Sequence, residues 1–382
     1  MESQFPYSQY VTGRNFVGRR AEVVLLGNLI SQGEHVVVAE APKTGKTSFI
    51  QHTLYGLRMK GITFTVGQMS ALNIRTPEDF LLRLGTTLLK MAGASPAEYG
   101  DLVKRFLPNT HFVFDQLAFD TDGRILSLSW DLDAADVEAI LALPFRLAQE
   151  RGDRLILIID EFQSVLQMED PDAILRPLSQ SLKDYRDGKR FCYIFCGSCV
   201  NAMEEIFRGS HLFSRMVERV KLPPVEELEM ADHIHRGFMS SGKVVEKELL
   251  QGACRLFRGH PWYINHFAAI CDSMTRGYLM EQGLIDALAC LVSVHEPRFT
   301  GIVNGLTTHQ VNLLKAVLEG VTRFSSADVI RRYGLNSSAN VKRVKDALMK
   351  KEVLTFDEDD KPVILDPLFE YWMKKYYFEM NV

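Results

Sequence analysis

Gly45-Lys46-Thr47 follows the apolar run HVVVAE (His35 to Glu40) and opens TSFIQHTLYGLRMK, whose apolar spacing is helical. Residues of these types in that setting suit one chemistry. Backbone N–H groups and a helix N-terminus converge on an anion, a lysine reaches the outer phosphates, and a hydroxyl ligates Mg²⁺. Gly45 permits close backbone approach, Lys46 supplies the charge and Thr47 is the metal ligand, within a cradle of Pro42, Lys43, Thr44, Gly45, Lys46, Thr47 and Ser48. Glu40 stands where the usual pattern has its first glycine. The strand must therefore exit without positive φ and the carboxylate must turn from the phosphates, with Pro42 stiffening the turn.

The stretch LILIIDEFQ supplies a second constellation. Asp160 emerges at the C-terminal end of a buried strand, where open α/β sheets bind ligands, and its carboxylate can hold the water shell of Mg²⁺. Glu161 beside it is suited to orient and polarise an attacking water. The ordinary alternative is that this pair merely ends a strand in polar fashion. The apolar run before it, and its place far downstream of Gly45-Lys46-Thr47, argue against that and point to ATP and Mg²⁺ as ligands.

A chain of 382 residues, 46% hydrophobic and 24% charged, is too long for one ordinary core and is expected to form two or three domains. No apolar run is long enough to span a membrane, and MESQFPYSQY lacks a basic segment followed by an apolar one, so the expected location is cytoplasmic, with no membrane partner. A net charge of -4 argues against a protein that coats nucleic acid over its whole surface, while leaving room for a local basic face. Three of the six cysteines fall in RFCYIFCGSCV, which invites a metal reading. Without a second His or Cys cluster they read instead as small apolar residues of a buried strand.

These motifs need a mostly parallel α/β sheet to position them, and the first two hundred residues alternate strand-like and helix-like segments accordingly. Ile62 to Met69 reads as a strand. Thr76 caps the helix that follows, with Pro77 at its first position. FVFDQLAF, the turn DTDG and RILSLSW read as a hairpin about Asp122-Gly123, an insertion forming either a partner surface or cover for a sheet edge. From about Pro223 the segments are helical with no strand between them. In the last eighty residues three helices, the second capped by a Ser325–Asp328 pair, precede two short strands about an acidic turn, the order of a winged helix. The expected division is a P-loop ATPase domain over 1–224, a helical lid over 225–303 and a winged helix over 304–382.

With these motifs in hand, the chain resembles the additional-strand, catalytic-glutamate (AAA+) P-loop ATPases, and more narrowly the archaeal-ATPase-like branch of the signal-transduction ATPases with numerous domains (STAND). NFVGRRAEV resembles that group's entry segment, which implies Phe16, Val17, Gly18 and Arg19 beside the base. FCGSCVNAMEEIF resembles the sensor 1 strand, implying that Ser198 feels the γ-phosphate; SHLFSRMVERVKLPPV implies an arginine contact from Arg215; FRGHPWYI resembles the lid turn and implies His260 and Pro261 over the nucleotide. Glu40, and Ser214 where glycine is frequent before the arginine, depart from the pattern. The chain as a whole is similar to uncharacterised ATP-binding proteins common in Bacteroidetes, a resemblance that brings no settled biological role.

Two jobs suit such a site. In one, ATP hydrolysis drives a switch in which the γ-phosphate draws Ser198, Arg215 and the lid together and its loss releases the winged helix, with protein partners and nucleotide-dependent self-association as corollaries. In the other, the nucleotide only stabilises a DNA-binding or protein-docking module. Arg331, Arg332, Lys342, Arg343, Lys345, Lys350 and Lys351 suggest a phosphate-contacting face, whereas Asp357 to Asp360 at the wing tip would repel DNA. Glu161 completes a hydrolytic set and favours the switch.

Overall fold

Short runs of β-branched and aromatic residues with no polar alternation suit strands buried on both faces. The computed structural model describes residues 4–209 and 211–381. The first three residues of the N-terminal stretch, Ser210 at the head of SHLFSRMVERVKLPPV, and Val382 lie outside the described residues. The chain forms two compact units, one of Arg20–Glu40 and His52–Leu222, the other of Met1–Arg19, Ala41–Gln51 and Pro223–Val382.

The first unit is α/β. It contains α1 (Arg20–Gln32), β1 (His35–Ala39), the later turns of α2 (Lys46–Met59), β2 (Thr65–Ser70), α3 (Pro77–Ala92), α4 (Pro96–Phe106), β3 (Phe112–Phe114), α5 (Gln116–Asp122) and β4 (Leu126–Leu128). Then come α6 (Ala134–Arg151), β5 (Leu155–Asp160), α7 (Asp172–Asp184), β6 (Phe191–Gly197), α8 (Val200–Glu204) and β7 (Val217–Arg219). Five strands make one parallel sheet in the order β2-β5-β6-β1-β7. Every residue of β1 and β6 is buried, as the uninterrupted apolar runs require. Cys192 and Cys196 sit in β6 as small apolar residues, and burial pushes the Cys192 thiol up to about 12.

Register decides what this sheet presents. Val37 lies opposite Phe195, which lies opposite Ile159, and Ala39 lies opposite Gly197. Glu40, Asp160 and Ser198 therefore stand together at the C-terminal edge, the edge at which open parallel sheets place their ligands.

The expected hairpin is corrected. Asp115 accepts a hydrogen bond from Ala118 N (2.9 Å) and so starts a helix, α5, where the sequence reading placed a strand. Asp122 ends that helix and Gly123, at φ 75°, is its C-cap, so the turn signal is spent on a helix terminus. β3 and β4 still pair antiparallel. The insertion covers a helix, not a sheet edge: the buried Thr86 hydroxyl of α3 accepts from Ile125 N (3.2 Å) and Leu126 N (3.4 Å).

The second unit is helical except for small strand pairs. α9 (Glu227–Ser240), β8 (Val244–Val245), α10 (Lys247–Leu256), α11 (Pro261–Met274), β9 (Tyr278–Leu279) and α12 (Glu281–Asn304) lead into α13 (Thr308–Leu318), α14 (Ala327–Tyr333), α15 (Ser338–Lys350), β10 (Leu354–Phe356), β11 (Pro362–Ile364) and α16 (Pro367–Trp372). The all-helical expectation after Pro223 misses the parallel β8–β9 pair, whose two-residue strands are too short to leave a period. The cap of α14 is Ser326, accepting from Val329 N, one residue beyond the expected Ser325. Three helices followed by the antiparallel β10–β11 pair form the winged helix. Its core is continuous with that of α12, because Phe299 contacts the rings of Phe369 (5.6 Å) and Trp372 (5.7 Å). Among the described residues, no helix is long and apolar enough to cross a membrane.

Thr86→Val keeps the shape of its side chain but leaves two amides without their acceptor. It should destabilise the protein by about 1–3 kcal/mol, read as a lower denaturation midpoint with unchanged slope; an unchanged midpoint would show that the insertion is held by packing alone.

Candidate functional site

The phosphate loop lies in the helical unit, and its shape follows from what holds its carbonyls. The Ala41 carbonyl accepts from Lys46 Nζ (3.0 Å) and Thr44 Oγ1 (2.9 Å). The Pro42 carbonyl accepts from His260 Nε2 (3.3 Å) and the Thr44 carbonyl from Arg19 Nη1 (2.7 Å). In a planar peptide the C=O and the following N–H point opposite ways, so fixing the carbonyls of Pro42 and Thr44 turns the amides of Lys43 and Gly45 to the other side. These amides join the first N–H groups of α2, which a helix leaves unsatisfied. Gly45, at φ 95°, could carry no side chain without strain, and an added Cβ would lie 3.4 Å from Arg19 Nη1.

Glu40 meets the conditions set by its position. Its φ is not positive, and its carboxylate accepts from Leu222 N (2.9 Å) in the sheet unit. The left-handed backbone falls at Lys43 instead, φ 64°. Lys43 lays its ammonium over the Trp262 ring, 3.5 Å from the centroid.

Beside this loop opens a narrow cleft of about 80 Å³ lined by Tyr7, Phe16, Val17, Lys43, Ser48 and Trp262, among others. Tyr7 is fixed by stacking on His266 (4.2 Å), and Val11 N donates to Ser48 Oγ (3.1 Å). Asn265 lines the cleft too, and its Oδ1 is a buried acceptor with no partner among the described residues. Of the residues expected beside the base, Phe16, Val17 and Arg19 line this cleft, as does Pro261. Arg19 is occupied as a brace, since its Nε also donates to Pro223 O (2.9 Å). Gly18, φ 70°, has a packing role: an added Cβ would sit 3.0 Å from Val225. His260 caps α11 by accepting from Tyr263 N, which leaves Nε2 to carry the proton it gives Pro42. Burial drives its pKa down to about 4, so it is neutral.

The acidic residues lie in the sheet unit. Asp160 ends β5, and its Oδ1 accepts from Glu161 N (3.0 Å). Glu161 turns the chain at φ 53°, and its Oε2 accepts from Ser198 Oγ (2.7 Å) and from Gln163 Nε2. Ser198 is thus spent on Glu161, and α8 begins at Cys199 without a side-chain cap. Sequence reasoning missed Gln163, whose only signal was its place in DEFQ. Gly197 makes room for it, since an added Cβ would lie 2.5 Å from Gln163 Oε1 and 2.4 Å from Met203. Arg215 belongs to neither group. It is exposed, at φ 62°, and lines a cavity of about 210 Å³ with Glu204, Arg208, Phe213 and Arg219.

Two outcomes follow. Gly197→Ala should displace Gln163 and Met203, lowering any nucleotide turnover about tenfold or more while leaving nucleotide affinity near wild type; a variant with full turnover would remove Gln163 from the argument. His260 binds a proton at about 6.5 unfolded but only at about 4 folded, so between those values the unfolded state holds more protons and stability must fall as pH falls. The share of that slope due to His260 is at most about 1.4 kcal/mol per pH unit. Burial lowers His35 and His295 to about 4 as well, so His260→Asn, which keeps a capping acceptor, should reduce the pH slope of the denaturation midpoint over that range without abolishing it, and an unaltered pH profile would contradict the assignment.

Residues 297–375 match a family model described as "Probable winged helix domain". No curated protein sequence matches the chain. Among solved structures, it is similar to the Walker-type ATPase PABY2304 of Pyrococcus abyssi, with 16% identity over 96% of this chain and 99% of that one and a TM-score of 0.67. It is also similar to the Aeropyrum pernix ORC2 protein in its ADPNP–ADP complexes, with 16% identity, 96% and 93% coverage and a TM-score of 0.58. At that identity the likeness is one of fold. The chain has the fold of a P-loop ATPase that carries a C-terminal winged helix.

Proposed function

We propose that this chain binds ATP and hydrolyses it with Mg²⁺, working as a molecular switch whose output is the winged helix. The observation that carries the hydrolytic part is Glu161. It is a carboxylate at the C-terminal edge of a buried parallel sheet, held by Ser198 and Gln163 through hydrogen bonds that a polar strand end would not need. Binding is supported by the outward-fixed carbonyls of the loop, by Lys46 and by the start of α2. An adenine amine in the cleft would give Asn265 Oδ1 the donor it lacks.

In this reading Lys46 leaves the Ala41 carbonyl for the phosphates. Thr47, whose side chain is exposed, and Asp160 are hard oxygen donors that fit Mg²⁺, and would hold it where it neutralises phosphate charge. Glu161 orients the attacking water and takes its proton, while Ser198, donating to Glu161, ties the base to the end of β6. Arg215 supplies a further contact when the γ-phosphate is present.

The output is read as protein docking. Arg331 and Arg332 are already paired with Asp328 and Glu319. Lys345 lies over Phe356 and Lys351 donates to the Gly305 carbonyl, which leaves Lys342 and Arg343 in the first turns of α15 and Lys350 in its last as the exposed cations of that set. The exposed Asp357, Asp359 and Asp360 of the wing tip would repel a phosphate backbone.

Phosphate release from the purified chain should fall about 10²-fold or more in Glu161→Gln with ATP still bound, and Lys46→Ala should weaken ATP binding about tenfold or more. Wild type and Glu161→Gln equally inactive, with ATP bound to both, would refute hydrolysis. Duplex DNA should show no affinity that strengthens as salt is lowered, and a steep salt dependence would restore the DNA-binding reading.

A further inference from the structure

A second cavity in the helical unit, about 420 Å³, shares only Lys43 with the nucleotide cleft. Ala41 and Pro42 form part of one wall, α12 contributes Gly301 and Ile302, and the winged helix closes it with Val353, Leu365 and Phe369. Its size falls within the range of about 300–1,000 Å³ typical of small-molecule sites, and its lining is largely apolar with a few polar groups.

The charges on that lining are unbalanced. Lys43, Arg298 and Lys351 face two carboxylates, Glu352 and Asp366. Asp366 is spoken for: it accepts from Leu368 N and Phe369 N (3.0 Å each), from Tyr263 OH and from Arg298. Arg298, which also donates to Tyr263 OH, has donors to spare beyond these contacts, and Lys43 lies against a ring face in Trp262. Burial first, and then the neighbouring Arg298, hold the Lys43 ammonium below its usual pKa, a strain that an anion would relieve.

We propose that this cavity binds a small amphipathic carboxylate, its head group received by Lys43 and Arg298 and its apolar body lying against Ile302, Leu306 and Phe369. Such a ligand touches the phosphate loop, the lid and the winged helix at once. It would act as an effector that stiffens the joint between nucleotide and output.

Gly301 offers the test. Gly301 is an exposed residue of the cavity lining where an added Cβ meets nothing within 4 Å, so a larger side chain is accepted without a clash at its first atom, and replacing a helical glycine also removes an entropic liability. Titrating the full chain with octanoate and with octanol by calorimetry should show saturable one-to-one binding of octanoate and about tenfold weaker binding of octanol. Gly301→Phe, with Gly301→Leu alongside should the ring not be accommodated, should keep the wild-type circular dichroism and weaken octanoate about tenfold or more. Saturating ATP should leave the octanoate stoichiometry unchanged. The proposal is overturned if octanoate does not bind up to its solubility limit, if octanol binds as tightly, if both folded Gly301 variants bind octanoate like wild type, or if ATP displaces octanoate competitively, which would assign the space to the nucleotide.

Discussion

The shape of the loop over residues 41–47 depends on two of its carbonyls, those of Pro42 and Thr44, being held away from its amides. Pro42 and Thr44 give their oxygens to His260 and Arg19, and the planarity of the peptide then turns the amides of Lys43 and Gly45 the other way. A loop of bare amides is an anion trap only while its carbonyls are kept from closing over it. The holding groups come from two separate parts of the sequence: the entry segment and the turn before α11. A charged guanidinium is the stronger of them, and the neutral imidazole adds a directional donor without adding charge.

The same economy governs the acidic half. Ser198 and Gln163 both donate to one oxygen of Glu161, and the absence of a side chain at Gly197 lets Gln163 reach it. Orientation of the Glu161 carboxylate is thereby tied to the ends of two neighbouring strands. A shift of β6 against β5 would be felt first at the Glu161 carboxylate, well before it altered the core.

Much of this was legible in the sequence, where one local rule sufficed. Buried strands announced themselves by uninterrupted Val, Ile and Phe; Thr76 and Pro77 marked a helix start; and the order of three helices and two strands marked the winged helix. Failures came where one signal served two structures. Asp122-Gly123 is as good a helix terminus as a hairpin turn, and only the Asp115 cap decides between them. Ser325 and Ser326 are interchangeable on paper. Arg298 and Asp366 carry no local pattern, since each finds its partner 68 residues away, and Gln163, though only two residues from Glu161, depends on the room that Gly197 leaves far along the chain.

Glu40 replaces a glycine of the usual loop and answers the backbone of Leu222, where the chain leaves the sheet after its edge strand. A relative that keeps the glycine has no carboxylate to offer there and must tether that crossing by other means. The amino acid at this position therefore records how the crossing is anchored. Across a set of such proteins it should co-vary with the residues just after the last strand, and much less with those that touch phosphate.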